Sequence, residues 1–104
     1  MERKGPGMTG ISPVVEELQD CANDAERARW LLKIPVVMLY REQTAIYRAL
    51  RTARFARGEE LVDIEISALL SVRDRFGRLP AEVEATISAA RSFMEAVARK
   101  GGVA

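Results

Sequence analysis

The chain has 104 residues, of which 48% are hydrophobic and 30% charged, a composition typical of one globular domain. Its 16 basic and 15 acidic residues nearly cancel, whereas nucleic-acid-binding domains usually carry a clear basic excess. A single cysteine excludes an intramolecular disulfide, and the absence of histidine removes the commonest general base and the commonest transition-metal ligand.

The N-terminal part of the chain predicts a tail followed by two short helices. Residues 1–11 contain three glycines and one proline, which predicts a flexible tail before a single domain over residues 12–100. Ser12 and Pro13 predict the start of a first helix that ends near Ala22. The segment 23–26 has the form of a capping box and predicts a second helix, which Pro35 disrupts.

A long central helix is predicted over residues 35–57, with Gly58 ending it as a C′ glycine. Its apolar face follows the helical period apart from Gln43. That face consists of Val36, Leu39, Tyr40, Ile46, Tyr47, Leu50 and Ala53. At about 1.5 Å per residue this helix would exceed 30 Å in length.

The fourth predicted helix begins near Glu59 and ends at Gly77. Its predicted buried face is Leu61, Ile64, Ala68, Val72 and Phe76. Residues 62–67 alternate apolar and polar, which is also a strand pattern, but the helical period continues to Phe76 and favours a helix. The third and fourth helices are expected to form an antiparallel hairpin about Gly58.

The fifth predicted helix starts at Pro80 and ends at Gly101 and Gly102, leaving a flexible end over residues 101–104. Its apolar stripe is Val83, Ile87, Ala90, Met94 and Val97. The stripe fits docking on the other helices or pairing with a second subunit, and docking is favoured because a small domain needs all its helices. Phe93 lies beside the stripe and widens it towards a partner. The predicted fold class is all-α, a small bundle of about five helices.

The sequence predicts no catalytic, cofactor-binding or metal-binding residues. Cys21 shares a helical face with Val14 and Leu18, so we expect a small buried side chain rather than a reactive thiol. Pairs of glutamates occur at 16/17, 59/60 and 82/84, near predicted helix N-termini, where the helix dipole already explains them. The early glycines do not form a phosphate-binding loop.

One feature rises above this background, a group of arginines in the third predicted helix that we call the arginine series. It comprises Arg41, Arg48, Arg51, Arg54 and Arg57. Three uses are open: pairing with the acidic residues of the fourth helix, binding a protein, or gripping a nucleic-acid backbone. Internal pairing or a solvated face is favoured by the charge balance. The acidic residues concerned are Glu59, Glu60, Asp63 and Glu65.

The sequence therefore predicts a non-enzymatic helical binding or regulatory module that acts through protein–protein interaction, with self-association as one form of it. The partner-binding residues would be the arginine series and Phe93. The alternatives are a small nucleic-acid-binding regulator that uses the arginine series, and an enzyme subunit that contributes residues to a shared site. The longest apolar run, residues 34–40, is too short to span a bilayer, and we expect a cytoplasmic protein.

Overall fold

The computed structural model describes residues 12–103, with side chains for residues 12–100. This part of the chain forms six α-helices and no strand, which confirms the predicted all-α class. The helices are α1 (Pro13–Gln19), α2 (Asp24–Lys33), α3 (Val36–Arg41), α4 (Gln43–Thr52), α5 (Ala56–Leu69) and α6 (Ala81–Val103). Within the same residues, no helix combines the length and apolar character needed to cross a membrane. The predicted N-terminal tail and the side chains of the predicted C-terminal end lie outside the described residues.

Both predicted helix starts near the N-terminus are confirmed by their hydrogen bonds. The Ser12 hydroxyl accepts a bond from the Val15 amide at 3.3 Å. Asn23 Oδ1 accepts from the Glu26 amide at 2.9 Å, and the Glu26 carboxylate accepts from the Ala22 amide at 2.8 Å. These bonds satisfy amides that would otherwise lack intrahelical partners, so the sequence fixes both starts locally.

The predicted third helix is two helices, with a break at Glu42. Gln43, the residue that interrupted its apolar face, donates its side-chain amide to the Tyr40 carbonyl at 2.9 Å. Leu39 and Ile46, seven residues apart on either side of the break, are both buried as predicted, whereas Tyr40 is exposed, contrary to the prediction.

The turn between α4 and α5 is made by Arg54 and Phe55, and not by Gly58. Arg54 has φ 59°, the left-handed conformation that commonly ends a helix, and the Phe55 amide donates to the Leu50 carbonyl at 2.9 Å. Gly58 lies in the first turn of α5, where an added Cβ would stand 2.8 Å from Cδ2 of Phe55. The prediction of a C′ glycine is wrong, because this glycine makes room for the buried Phe55 ring.

Two further helix ends differ from the prediction. α5 ends at Leu69, where the Ser71 hydroxyl donates to the Ser67 carbonyl at 2.8 Å in place of another helical turn. Val72 and Phe76, predicted to be buried, are therefore exposed in a loop. α6 continues through Gly101 and Gly102, since glycine lowers helix propensity by about 1 kcal/mol without preventing helical geometry.

The core draws buried side chains from all six helices, and α6 packs against α2 and α5. Met94 of α6 is buried and Ala90 and Val97 pack against the core, which confirms that the predicted stripe of this helix faces the core over its C-terminal half. Arg91 joins three helices, because its guanidinium pairs with Glu65 of α5 and donates to the Leu32 carbonyl of α2 at 2.8 Å. The position of α6 is thus fixed by apolar packing, by the contacts of Arg91, and by a hydrogen bond from the Arg29 guanidinium of α2 to the Ala98 carbonyl at 2.9 Å.

Candidate functional site

The arginine series is spread over three helices and the turn between α4 and α5, so it does not form one continuous ridge. Arg41 ends α3, Arg48 and Arg51 lie on α4, Arg54 lies in the turn, and Arg57 begins α5. All five side chains are exposed. The break at Glu42 and the early end of α4 point successive arginines in different directions, and this interrupts the ridge predicted from the sequence.

The predicted antiparallel hairpin exists, with its turn at residues 53–55. Arg51 of α4 pairs with Glu59 of α5 at 3.2 Å, and one turn further from the loop the Tyr47 hydroxyl donates to Asp63. Arg57 pairs with Glu60 within α5 at 3.4 Å. Such exposed pairs stabilise a fold by under about 1 kcal/mol each, but they interleave negative charge among the arginines.

The last of the four acidic residues that follow Gly58 has a different partner. Glu65 pairs with Arg91 of α6 rather than with the arginine series. The two other arginines of α4 and the turn, Arg48 and Arg54, have no ion pair among the described residues. The internal pairing predicted from sequence is therefore found at Arg51 and Arg57 only.

The structure divides the predicted partner-binding residues into two shallow depressions. Arg48 and Arg51 line one of about 580 Å³ beside Tyr47 and Asp63. Arg54, Arg57 and Phe93 line another of about 760 Å³. Arg41 lies in neither and donates to the Met38 sulfur at 3.7 Å.

Phe93 and Arg57 form the best-defined contact in the second depression. The Arg57 guanidinium lies 4.6 Å from the centre of the Phe93 ring, a cation–π arrangement. The ring is still 44% exposed, and Lys100 lines the same depression. Arg57 and Phe93, which the sequence singled out separately, are thus neighbours in space.

Tyr47 offers a spectroscopic test of the hairpin. Burial, followed by the hydrogen bond to Asp63, raises its pKa from 10.0 to about 12. The fold favours the neutral phenol, so this contribution to stability is complete below pH 10 and is lost as the pH rises towards 12. In a pH titration of phenolate absorbance, we expect a late-ionising tyrosine that Tyr47→Phe removes and Tyr40→Phe keeps. Loss of the late step in Tyr40→Phe instead would contradict the Tyr47–Asp63 contact.

The most exposed apolar side chains of the described residues lie in the 70–80 loop between α5 and α6, which was not predicted from the sequence. Leu70 is 64% exposed, Val72 87% and Phe76 69%. The loop also carries three arginines: Arg73, Arg75 and Arg78. The guanidinium carbons of Arg75 and Arg78 lie 5.9 and 5.0 Å from the centre of the Phe76 ring.

Asp74 fixes the backbone of this loop. One of its carboxylate oxygens accepts bonds from the amides of Phe76 at 2.8 Å and Arg78 at 2.9 Å. The Gly77 amide donates to the Asp74 carbonyl at 2.9 Å, and Gly77 has φ 79°, which suits glycine. Asp at the first and Gly at the fourth position of a turn is the sequence signal that could have identified the loop.

The residues with reactive chemistry do not converge. Cys21 is half-buried, its thiol donates to the Glu17 carbonyl at 3.4 Å, and burial raises its pKa, so the protonated form is favoured. The glutamates at 16, 17, 82 and 84 are exposed on separate helices. Within the described residues, no group of three acidic, cysteine or histidine side chains is arranged to hold a metal ion.

Comparison of the chain with protein-family models, with curated proteins and with solved structures gives no match. The function is therefore inferred from the surfaces described above.

Proposed function

We propose that this chain is a non-enzymatic helical binding module that acts through protein–protein contact, with the 70–80 loop as its principal contact surface. The observation that carries the proposal is the exposure of Leu70, Val72 and Phe76 on a loop whose backbone is held by Asp74. Clustered exposed apolar side chains mark interaction sites in soluble proteins. A loop that is fixed before binding also loses little conformational entropy on binding.

The chemistry of the loop defines the kind of partner. Three arginines lie in the same loop, two of them over the Phe76 ring, while the only acidic residue of the loop, Asp74, is already bound by backbone amides. Arginine and aromatic side chains supply most of the energy in many protein interfaces. The partner is therefore a protein surface with an apolar pocket and an acidic rim.

Nucleic-acid binding by the arginine series is the second candidate, and it has less support. Glu59 and Asp63 stand beside Arg51 and Tyr47, where a phosphate backbone would have to pass. Two arginines, Arg48 and Arg54, remain exposed without an ion pair among the described residues. Too few basic side chains are left for strong phosphate contact.

The test compares two variants of the full chain. Val72→Ser/Phe76→Ser removes the apolar surface of the loop, and Arg48→Gln/Arg51→Gln/Arg54→Gln removes charge from the arginine series. Proteins captured from a host-cell extract with the unmodified chain are identified by mass spectrometry, and the affinity of the main one is then measured. We expect the loop variant to weaken binding at least about tenfold and the arginine variant to change it little.

Val37→Ser is the matched control, because Val37 is an exposed valine on α3, outside the loop. Circular dichroism verifies that every variant stays folded. Equal binding by the loop variant and the control would exclude the loop as the contact. A gel shift of nucleic acid at physiological salt, abolished by the arginine variant, would favour the second candidate instead.

A further inference from the structure

The outward side of α6 carries a second regular row of residues, which we call the outer stripe. It consists of Glu82, Thr86, Ala89, Phe93, Ala96 and Lys100. The spacings alternate between four and three residues, the pattern by which two helices pack along a shared seam. All six side chains are exposed, so the core of this chain does not account for the pattern.

The outer stripe is separate from the side of α6 that faces the core. At about 100° per residue, Phe93 points roughly 100° away from the buried Met94. Between its two ends the outer stripe holds only small residues and Phe93, whereas the other charged residues of this stretch lie elsewhere on the helix. Those residues are Glu84, Arg91, Glu95 and Arg99. A solvated helix face usually carries charges along its length, so an uncharged exposed strip is typical of a contact surface.

The two ends of the outer stripe have opposite charge, as the helix dipole favours, and two copies of the stripe are therefore complementary in one relative direction only. Two copies of α6 placed parallel would bring Glu82 next to Glu82 and Lys100 next to Lys100. Placed antiparallel about a two-fold axis level with Arg91, each Glu82 meets the Lys100 of the second copy. In the same register each Phe93 meets the Ala89 of the second copy, so a large side chain faces a small one at both central positions.

We propose that the outer stripe binds a second copy of this chain, with the two α6 helices antiparallel. The stripe spans about 27 Å, and beside it α5 and α6 enclose a groove of about 470 Å³ that is lined by Ala85, Ala89 and Ile64. The groove lies at the level where the Phe93 ring of the second copy arrives. An interface of one helix pair is small, so we expect the dissociation constant of the dimer to be micromolar.

The inference rests on the proposed function, because it names one protein partner of the module, but it uses a surface other than the 70–80 loop. Loss of the loop contact leaves the dimer intact, and loss of the dimer leaves the loop free to bind. Each of the two proposals can therefore be refuted without refuting the other.

The test measures the molar mass of the full chain by light scattering at about 100 µM, a concentration that populates a micromolar dimer. We expect twice the monomer mass of 11.5 kDa for the unmodified chain and the monomer mass for Ala89→Arg. Ser88→Arg is the matched control, since Ser88 is exposed on the same helix but lies off the outer stripe. A monomer for the unmodified chain, or a dimer that survives Ala89→Arg, would overturn the proposal.

Exchange of the end charges tests the antiparallel register. Glu82→Lys alone and Lys100→Glu alone place like charges together at both ends, and each should weaken the dimer about fivefold or more. The double variant restores opposite charges and should recover the affinity. Failure of the double variant to recover it, with circular dichroism unchanged, would exclude this register.

Discussion

Replacing Leu50 by alanine should lower the free energy of unfolding by about 2–5 kcal/mol. Leu50 has no exposed surface, and it lies on α4 within the cluster of side chains that forms the core. The change removes apolar contacts and leaves a cavity that neighbouring helices fill only in part. Total stability of a chain this size is about 5–15 kcal/mol, so the loss is a large share of it. Urea unfolding followed by circular dichroism measures the change.

Arg48→Ala is the control for Leu50→Ala, because Arg48 lies two residues earlier on α4 with its side chain exposed. We expect its effect to stay within about 0.5 kcal/mol. If Leu50→Ala unfolds the chain outright, Leu50→Met, which keeps the side-chain volume, should cost under about 1.5 kcal/mol. A Leu50→Ala effect no larger than that of Arg48→Ala would mean that α4 buries a different face.

Features governed by neighbouring residues in the chain were predictable from the sequence. Ser12 and Asn23 cap α1 and α2 as expected, because a capping side chain needs only the amides two or three residues ahead. The spacing of apolar residues likewise indicated the buried positions Leu50 and Met94. The all-helical class follows from these two kinds of signal alone.

Features governed by tertiary packing were not predictable in the same way. No proline or glycine marks the break at Glu42, so the sequence carries no local stop signal there. Gly58 stands in the sequence where a helix could end, but the fold needs a glycine there because the Phe55 ring occupies the space that a Cβ would take. A local pattern cannot distinguish these cases, because each depends on residues brought together only by the fold.

The candidate surfaces show the same division. The acidic residues after Gly58 predicted ion pairs with the arginine series, and the structure has such pairs at Arg51 and Arg57. The 70–80 loop was missed because Val72 and Phe76 continue the helical spacing of α5, which outweighed the turn signal of Asp74 in the sequence. Of the outer stripe of α6, only Phe93 was recognised from the sequence. Small residues indicate a contact surface only once the buried side of the helix is known.

The packing of Phe55 makes it the other position with a large expected effect. Phe55→Ala should lower the free energy of unfolding by about 3–5 kcal/mol, because the ring is buried between the turn and the start of α5. The backbone bond from the Phe55 amide to the Leu50 carbonyl remains possible in the variant. The loss therefore measures the ring, and urea unfolding reports it.

Gly58→Ala should then have opposite effects in two backgrounds. In the unmodified chain the added Cβ would stand 2.8 Å from the Phe55 ring and 3.1 Å from Cδ1 of Leu31, so overpacking should cost about 1–3 kcal/mol. In the Phe55→Ala background both close contacts with the ring are gone and only the end of the flexible Leu31 side chain stays near, so alanine should stabilise the helix by up to about 1 kcal/mol. Gly77→Ala is the control: its φ of 79° makes alanine unfavourable, nothing lies within 4 Å of its added Cβ, and its cost should be the same in both backgrounds. Equal effects of Gly58→Ala in both backgrounds would show that the Phe55 ring is not the reason why position 58 is a glycine.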